Sequence, residues 1–257
     1  DFKFTEQHNM LRAMVRKFVD QDIKPIASKI DREKAIPEEL LKKAAELGLM
    51  GIPFPEEYGG SELGETGACI MLEELGHGCA STAVTISAHQ SLTCSSIYFD
   101  GTDEQKEKYL VPLAKGEKLG AFALTEPESG SDAASIKTSA VRDGDDFVIN
   151  GTKIWITNGS NADVIVVFAV TDPAKGARGG VSAFIVESNT PGFKVGTIEE
   201  KMGIRGSTTA ELIFEDMKVS MDNMLGVYGA GFITAMKSLD IGRLSLGAAS
   251  LGASKEL

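Results

Sequence analysis

The hydrophobic period of this chain changes twice along its length. Up to about residue 118, apolar residues recur every three to four positions, the spacing of one helix face. From 119 to about 220 they alternate or form short β-branched runs, the spacing of strands. From 229 the helical period returns. Helices and sheets bury their apolar surface in layers of their own kind, so each change of period marks a change of layer. The expectation is an α+β multidomain chain. An N-terminal all-α domain spans 1–118, a middle antiparallel β-barrel or sandwich domain spans 119–228, and 229–257 is the first helix of a C-terminal α-helical bundle.

The helical part carries its own punctuation. "FTEQHNMLRAMVRKFVDQDI" starts at a Thr5 cap and puts Leu11, Val15, Phe18 and Ile23 on one face, until Pro25 disturbs it. "IPEELLKKAAELGLMG" places Pro37 at a first helical position and Gly48 at the end. Residues 62–77, 80–98 and 103–115 read as three more helices, the last with Glu104, Lys106, Glu107 and Lys108 on a solvated face. In the β part, "FVINGTKIWIT" reads as strand, Asn150-Gly151 hairpin turn, strand. "DVIVVFAV", "VSAFIVE" and "AELIFEDMKV" add strands, punctuated by Pro173, Gly176, Gly179, Gly180 and the pair Pro191-Gly192. In the last segment, Phe232, Met236 and Leu239 fall at i, i+4 and i+7, while Gly242, Gly247 and Gly252 keep the helix slim for close packing. The helical pattern still runs at Leu257. A lone helix cannot bury an apolar face by itself, so this one is expected either to dock on the other domains or to belong to a longer chain.

Charge and composition exclude several classes. The 257 residues carry a net charge of -11 and show no Lys/Arg cluster, against nucleic-acid binding. His8, His77 and His89 lack the close spacing of a zinc site, so no metal is expected. Cys69, Cys79 and Cys94 form no CxxC and read as reduced thiols of an intracellular protein. The uncharged stretch 81–99 is rich in Ser and Thr and holds His89 and Gln90, so it reads as a buried helix rather than a membrane span. No signal peptide is expected from the opening residues, since Asp1 begins a charged, helix-like segment.

Two segments of the β part stand out chemically. "AFALTEPESGSDAAS" (121–135) opens as a strand and breaks into a polar loop in which Thr125 and Ser131 offer hydroxyls and Gly130 admits a close ligand. The same features suit a plain structural turn. "TKIWITNG" (152–159) holds the only Trp, with Trp155 and Thr157 expected on one strand face. Trp155 fits a core position or an aromatic platform. Together the segments pair hydroxyl donors with aromatic surface, as a planar heterocycle with polar edges requires. "LGVYGAGF" (225–232) lacks GxGxxG and is a loop into a helix. Arg205 is equally placed to meet an anionic phosphate or to lie on the surface.

These segments, with "EEYGG", "DEQKEKYLVPLAKGEKLGAFALTEP", "EKMGIRGSTTAELIFEDMKV" and "GFITAMKSLDIGR", occur in an order that resembles the acyl-CoA dehydrogenases, most nearly the short-chain, butyryl-type branch. The resemblance implies FAD held by the middle domain through Phe122, Ala123, Leu124, Thr125, Gly130 and Ser131, and through Trp155, Ile156 and Thr157. It implies acyl-CoA contacts at Ser131 and at the helix turn Asp240, Ile241, Gly242 and Arg243. It also implies α,β-dehydrogenation of a short- or medium-chain acyl-CoA, an electron-transferring flavoprotein as partner and a homotetramer or homodimer. The location implied is cytoplasmic in a bacterium or archaeon, or the mitochondrial matrix in a eukaryote. The family's catalytic base is expected in a C-terminal domain outside these residues. Some branches carry it next to the Arg that matches Arg243, where this chain has Gly242. Glu126 and Glu128 are expected to order the loop by accepting backbone N–H bonds or to face solvent. Two other functions fit the same resemblance: an oxygen-reactive relative (acyl-CoA oxidase or flavin monooxygenase), and a non-catalytic FAD- or acyl-CoA-binding fragment.

Overall fold

The computed structural model describes residues 3–256, so Asp1 and Leu257, which bound the outermost expected segments, lie outside the described residues. Helix α1 (Glu6–Phe18) starts where Thr5 accepts a hydrogen bond from the His8 N–H at 3.2 Å. A π turn at Val19–Ile23 and a 3₁₀ turn at Lys24–Ile26, which contains Pro25, redirect the chain into α2 (Ala27–Glu33). Pro37 is the residue before α3 (Glu38–Glu46) rather than its first residue. Helix α4 (Gly64–Gly78) follows. From Ala80 to Asp100 the chain is helical throughout: α5 (Ala80–Ser87), a π stretch at Ala88–Cys94, then α6 (Ser95–Asp100). A capping box between Thr102 and Gln105 opens α7 (Asp103–Gln105), and α8 (Val111–Ala114) ends the run.

The strands are β1 (Gly120–Ala123), β2 (Ser139–Asp143), β3 (Asp146–Thr157), β4 (Val164–Val170), β5 (Val181–Glu187), β6 (Phe193–Ile198), β7 (Thr209–Ser220) and β8 (Met224–Leu225). Helix α9 (Ala177–Gly180) interrupts between β4 and β5, and α10 (Gly231–Glu256) closes the described chain. All strands form one sheet, in the order β6-β7-β3-β2-β4-β5-β8, with β1 also on β4. Most ladders are antiparallel, as expected, but β1 runs parallel to β4, and one bridge joins β2 to β4 in parallel. Periodicity reports a strand's faces and not its neighbour's direction, so the sequence pattern was blind to this.

Strand β4 shows why some strands read as continuous apolar runs. Its Ile165, Val167 and Ala169 pack with Phe147, Ile149, Phe184, Leu212 and Phe214. Its Val164, Val166 and Phe168 pack on the other face with Ile97, Leu110 and Leu113 from the helices. Each such Val, Ile or Phe side chain contributes about 1.5–3 kcal/mol when fully buried, so the strand is stabilised from both faces. The exposed edge strand β6 has no fully buried residue.

The Asn150-Gly151 hairpin turn is a correction. Strand β3 runs straight through it, and the β2–β3 turn lies at Gly144, with φ +64°. The Asn150 side chain instead spans a bulge in β7, accepting from the Asp216 N–H at 2.8 Å and donating to the Asp216 carboxylate at 3.2 Å. Gly151 has no room for a side chain, because a Cβ there would lie 2.5 Å from the Thr138 hydroxyl. The Asn-Gly pair is thus used for a bulge and a close crossing, both of which need the same residue types as a hairpin turn.

Helix α10 buries Thr234, Ala235, Ser238, Ser245, Ala249 and Gly252 along one stripe. Two hydroxyl pairs tie it to the 80–100 helix, Ser91–Ser245 at 2.6 Å and Ser96–Ser238 at 2.8 Å. Near its end it touches α4 backbone to backbone: a Cβ on Gly252 would lie 1.8 Å from the Glu73 carbonyl oxygen, and one on Gly76 2.2 Å from that of Ala249. The three glycines expected to keep α10 slim therefore differ. Gly252 permits helix contact, Gly242 makes room for the Leu92 side chain, and Gly247 faces open space, contrary to expectation. The helix does dock, yet Ile233, Leu244, Leu246 and Leu251 stay about half exposed on its outer face. No helix among the described residues is long and apolar enough to cross a membrane.

Candidate functional site

A cavity of about 350 Å³ opens where the end of β1, the end of β3 and the middle of α10 meet. Phe122, Leu124 and Ile156 form its apolar wall, with Leu92, Met236 and Leu239 opposite. Thr125, Ser131 and Thr157 supply hydroxyls, and Trp155 and Arg243 complete the lining. The two segments singled out in the sequence are therefore brought together, although residues 136–151 separate them.

The residues expected to act together do not all reach the cavity. Ala123 turns its methyl into the sheet interior. On α10 only Arg243 of the expected turn lines the cavity. Asp240 is exposed and accepts from the Arg243 guanidinium at 2.6 Å, which orients it. Ile241 and Gly242 are half-buried outside the lining, with Gly242 against Leu92. Arg205 is away from the cavity and faces Asp31 of α2 at 3.5 Å.

Trp155 is not where alternation puts it. The β3–β7 register slips between Lys153 and Ile156, so Trp155 is the extra residue of a bulge, with φ +57°. A bulky residue in that region carries strain of about 1–3 kcal/mol. The bulge breaks the two-residue rule for 155 and 157 and turns the indole outward. Trp155 is 62% exposed, so it belongs to no core. Its ring has no aromatic partner, and the hydroxyls of Thr125, Ser131 and Thr157 make no hydrogen bond among the described residues. Gly130 faces open space. An unpaired aromatic face beside unpaired hydroxyls is a surface shaped for a ligand.

Four buried polar residues hold these walls, and of them the sequence reading named only Glu126, as a group that orders the loop by accepting backbone N–H bonds. Lys153 is fully buried and donates to the Leu124 carbonyl oxygen at 2.9 Å and to Glu126 at 2.7 Å. Glu126 also accepts from the backbone N–H groups of Lys137 (2.6 Å) and Thr138 (3.0 Å). Burial pulls the Lys153 ammonium down to about 8, with the Glu126 charge opposing it. Burial pushes the Glu126 carboxyl upward, but Lys153 and the hydrogen bonds outweigh it and hold the group below its ordinary value. The strand parity was the missed signal: Lys153 shares the inward phase of Phe147 and Ile149. Asn158, at φ +64° and fully buried, donates to the carbonyl oxygens of Thr85 and Gly120 at 3.0 and 3.1 Å, joining helix to sheet. His89 lies 3.0 Å from the Leu113 carbonyl oxygen through Nε2 and accepts from the Gly120 N–H at 2.9 Å through Nδ1. These partners assign the proton to Nε2. Burial pulls His89 down to about 4, so it is neutral. Glu128 is exposed and paired with Lys137. No group of three or more His, Cys, Asp or Glu among the described residues is placed to hold a metal ion.

Residues 5–117 match the profile of the acyl-CoA dehydrogenase N-terminal domain, and residues 121–217 that of the acyl-CoA dehydrogenase middle domain. The chain belongs to the acyl-CoA dehydrogenase family. Over 252 residues it is 51% identical to the short-chain specific acyl-CoA dehydrogenase of Clostridium acetobutylicum, covering 98% of this chain and 66% of that protein. It superposes on the butyryl-CoA dehydrogenase of Megasphaera elsdenii with a TM-score of 0.96 at 43% identity, over 100% of this chain and 68% of that one. It also superposes on a glutaryl-CoA dehydrogenase from Mycobacterium smegmatis in complex with FADH2, with a TM-score of 0.92 at 34% identity, over 98% of this chain and 64% of that one. The chain thus spans about two thirds of the length of these family members.

Proposed function

We propose that the chain carries the flavin-holding part, and one wall of the substrate site, of an FAD-dependent acyl-CoA dehydrogenase. The reaction is the oxidation of a short- or medium-chain acyl-CoA to the trans-2-enoyl-CoA, with electrons passed on to an electron-transferring flavoprotein. The observation that carries this reading is the cavity at the junction of β1, β3 and α10, with its unpaired Trp155 face, free Thr125, Ser131 and Thr157 hydroxyls and open Gly130. A planar heterocycle with polar edges fits that lining, and a superposable relative in complex with FADH2 supports the choice.

FAD bound there supplies a two-electron acceptor, a chemistry that no side chain of the cavity provides. The chain's own groups bind and orient. Thr125 and Thr157 offer hydroxyls to the polar edge of the ring system. Trp155 covers aromatic surface and excludes water. Phe122, Leu124 and Ile156 give the apolar wall, while Ser131 and Arg243 stand ready for the polar, anionic CoA portion. The overall reaction removes a proton from the substrate α carbon and a hydride from the β carbon. Glu126 does not serve as base, because Lys153 and two backbone N–H groups already occupy its carboxylate. Glu128 lies outside, and position 242 has no side chain. The base is assigned to the part of the relatives' length that this chain does not span.

An absorption spectrum of the purified full-length protein tests the reading. A flavin band that bleaches anaerobically on adding butyryl-CoA, and returns faster with an electron-transferring flavoprotein than with oxygen, is the expected result. A colourless protein that takes up no added FAD overturns it, and rapid reoxidation by oxygen replaces the dehydrogenase with an oxidase.

A further inference from the structure

Three of the pieces of chain that line the proposed flavin cavity come from the β part: Leu124-Thr125, the loop that carries Gly130 and Ser131, and the bulge at Trp155. None is fixed by apolar packing alone. The loop lies between 126 and 137, has no strand of its own and exposes Gly130 and Ser131. The bulge places a Trp at positive φ, a conformation that persists only when its surroundings impose it.

One ion pair touches all three. Lys153 sits two residues before Trp155, at the last regular β3–β7 pair before the slip. Its ammonium donates at 2.9 Å to the carbonyl oxygen of Leu124, the residue before Thr125. At 2.7 Å it donates to Glu126, the residue after Thr125. Thr125 is therefore bracketed from both sides by one cation. Its own carbonyl oxygen accepts from the Ile154 N–H at 2.9 Å, so the end of β1 and the start of the bulge are joined in the same place. Glu126 then accepts from the N–H groups of Lys137 and Thr138, at 2.6 and 3.0 Å, and so closes the base of the 126–137 loop. The pair is dry, with Lys153 0% exposed and the Glu126 side chain 6% exposed. In such surroundings a hydrogen-bonded charge is held to a narrow geometry, because any displacement leaves it unpaired.

We infer that Lys153, acting through Leu124 and Glu126, is a positioning residue for flavin binding: it sets Thr125 and the Trp155 bulge in the register that the isoalloxazine ring requires. This inference rests on the flavin reading above. Lys153 touches no cavity space itself and takes no part in the chemistry. Its role differs from general structural support, because its bonds end on the lining segments and not in a distant core.

The test compares full-length wild-type protein with Lys153→Met and with the double variant Lys153→Met/Glu126→Gln, which removes both charges and leaves no uncompensated carboxylate. FAD affinity is measured by fluorescence on the deflavinated proteins, and the visible absorption band and reduction potential are recorded on the reconstituted ones. The expected result is FAD affinity at least about tenfold weaker in both variants, with a shifted flavin band, even where the double variant regains the wild-type thermal midpoint. A merely structural lysine would move the midpoint but leave the band and potential of the bound flavin unchanged. If either variant folds and binds FAD with wild-type affinity and an unshifted band, the inference falls. Should the single variant not fold, the double variant decides; should neither fold, Glu126→Gln alone, which keeps an acceptor for Lys153 while removing the charge, decides by the same two readouts. Wild-type protein that binds no FAD would instead sink the flavin reading itself.

Discussion

The loop from 124 to 138 is held by two lysine–glutamate pairs of the same chemistry in opposite surroundings. Lys153–Glu126 is closed to solvent, while Lys137–Glu128 has both side chains more than 70% exposed. The inner glutamate also receives two backbone N–H groups and a lysine that is itself tied to a carbonyl oxygen. The outer glutamate has Lys137 alone. An exposed pair gains little, since water and salt screen it and two long side chains must be ordered. A buried pair gains little in total too, because both ions lose hydration, but it becomes indispensable once formed, since either partner alone is a stranded charge. The difference lies in what is lost when one member is removed.

The sharpest way to break the comparison is Lys153→Met. It should lower the unfolding free energy by about 4 kcal/mol, within the range for removing one member of a buried pair. Urea unfolding followed by far-UV circular dichroism measures it. A loss below about 1 kcal/mol would mean that the inner pair behaves like the outer one, and that water reaches Glu126 in solution.

His89 extends the same contrast to a single buried group. Its folded value of about 4 lies below the ordinary imidazole value of 6.5. Between those two values the unfolded chain binds a proton that the folded chain refuses. Stability is therefore complete above pH 6.5 and is lost as pH falls towards 4. The gap corresponds to about 3 kcal/mol. Glu126, whose carboxyl is held below its ordinary value, adds a loss in the same direction below the usual carboxylate range. Urea midpoints measured from pH 7.5 to 4.5 should fall steeply for wild type and less steeply for His89→Gln. Equal slopes would show that His89 is not the titrating group.

The layer plan was legible because it is written in period, which depends on the side chains' own spacing. The two cavity segments were legible because one strand breaks at once into a loop with Gly130 and free hydroxyls, and because the other segment holds the single Trp. The misreadings share a cause. Asn150-Gly151 serves a bulge with the chemistry of a turn, and the bulge at Trp155 shifts side-chain parity by one residue. A bulge is defined by the partner strand, which a single strand's pattern does not contain. Likewise Lys153 looks like an ordinary strand lysine until Leu124 and Glu126, nearly 30 residues away, are seen to meet it. The polar braces at His89 and Asn158 join helix to sheet, and such long-range partners leave no mark in local spacing.

The smallest expected effect is at the outer pair. Glu128→Gln removes the Lys137 partner and leaves every hydrogen bond of Glu126 in place. The urea midpoint should not change measurably, and raising salt from 0.05 to about 0.5 M should leave wild type and variant alike, because the pair is already screened. The flavin band should also stay where it is, since the loop's base is closed by Glu126 and not by Glu128. A clear loss of stability in Glu128→Gln would mean that the outer pair orders the loop around Ser131. The division of labour between the two pairs would then be wrong, and Lys153 would share the positioning of the cavity wall with a residue at its rim.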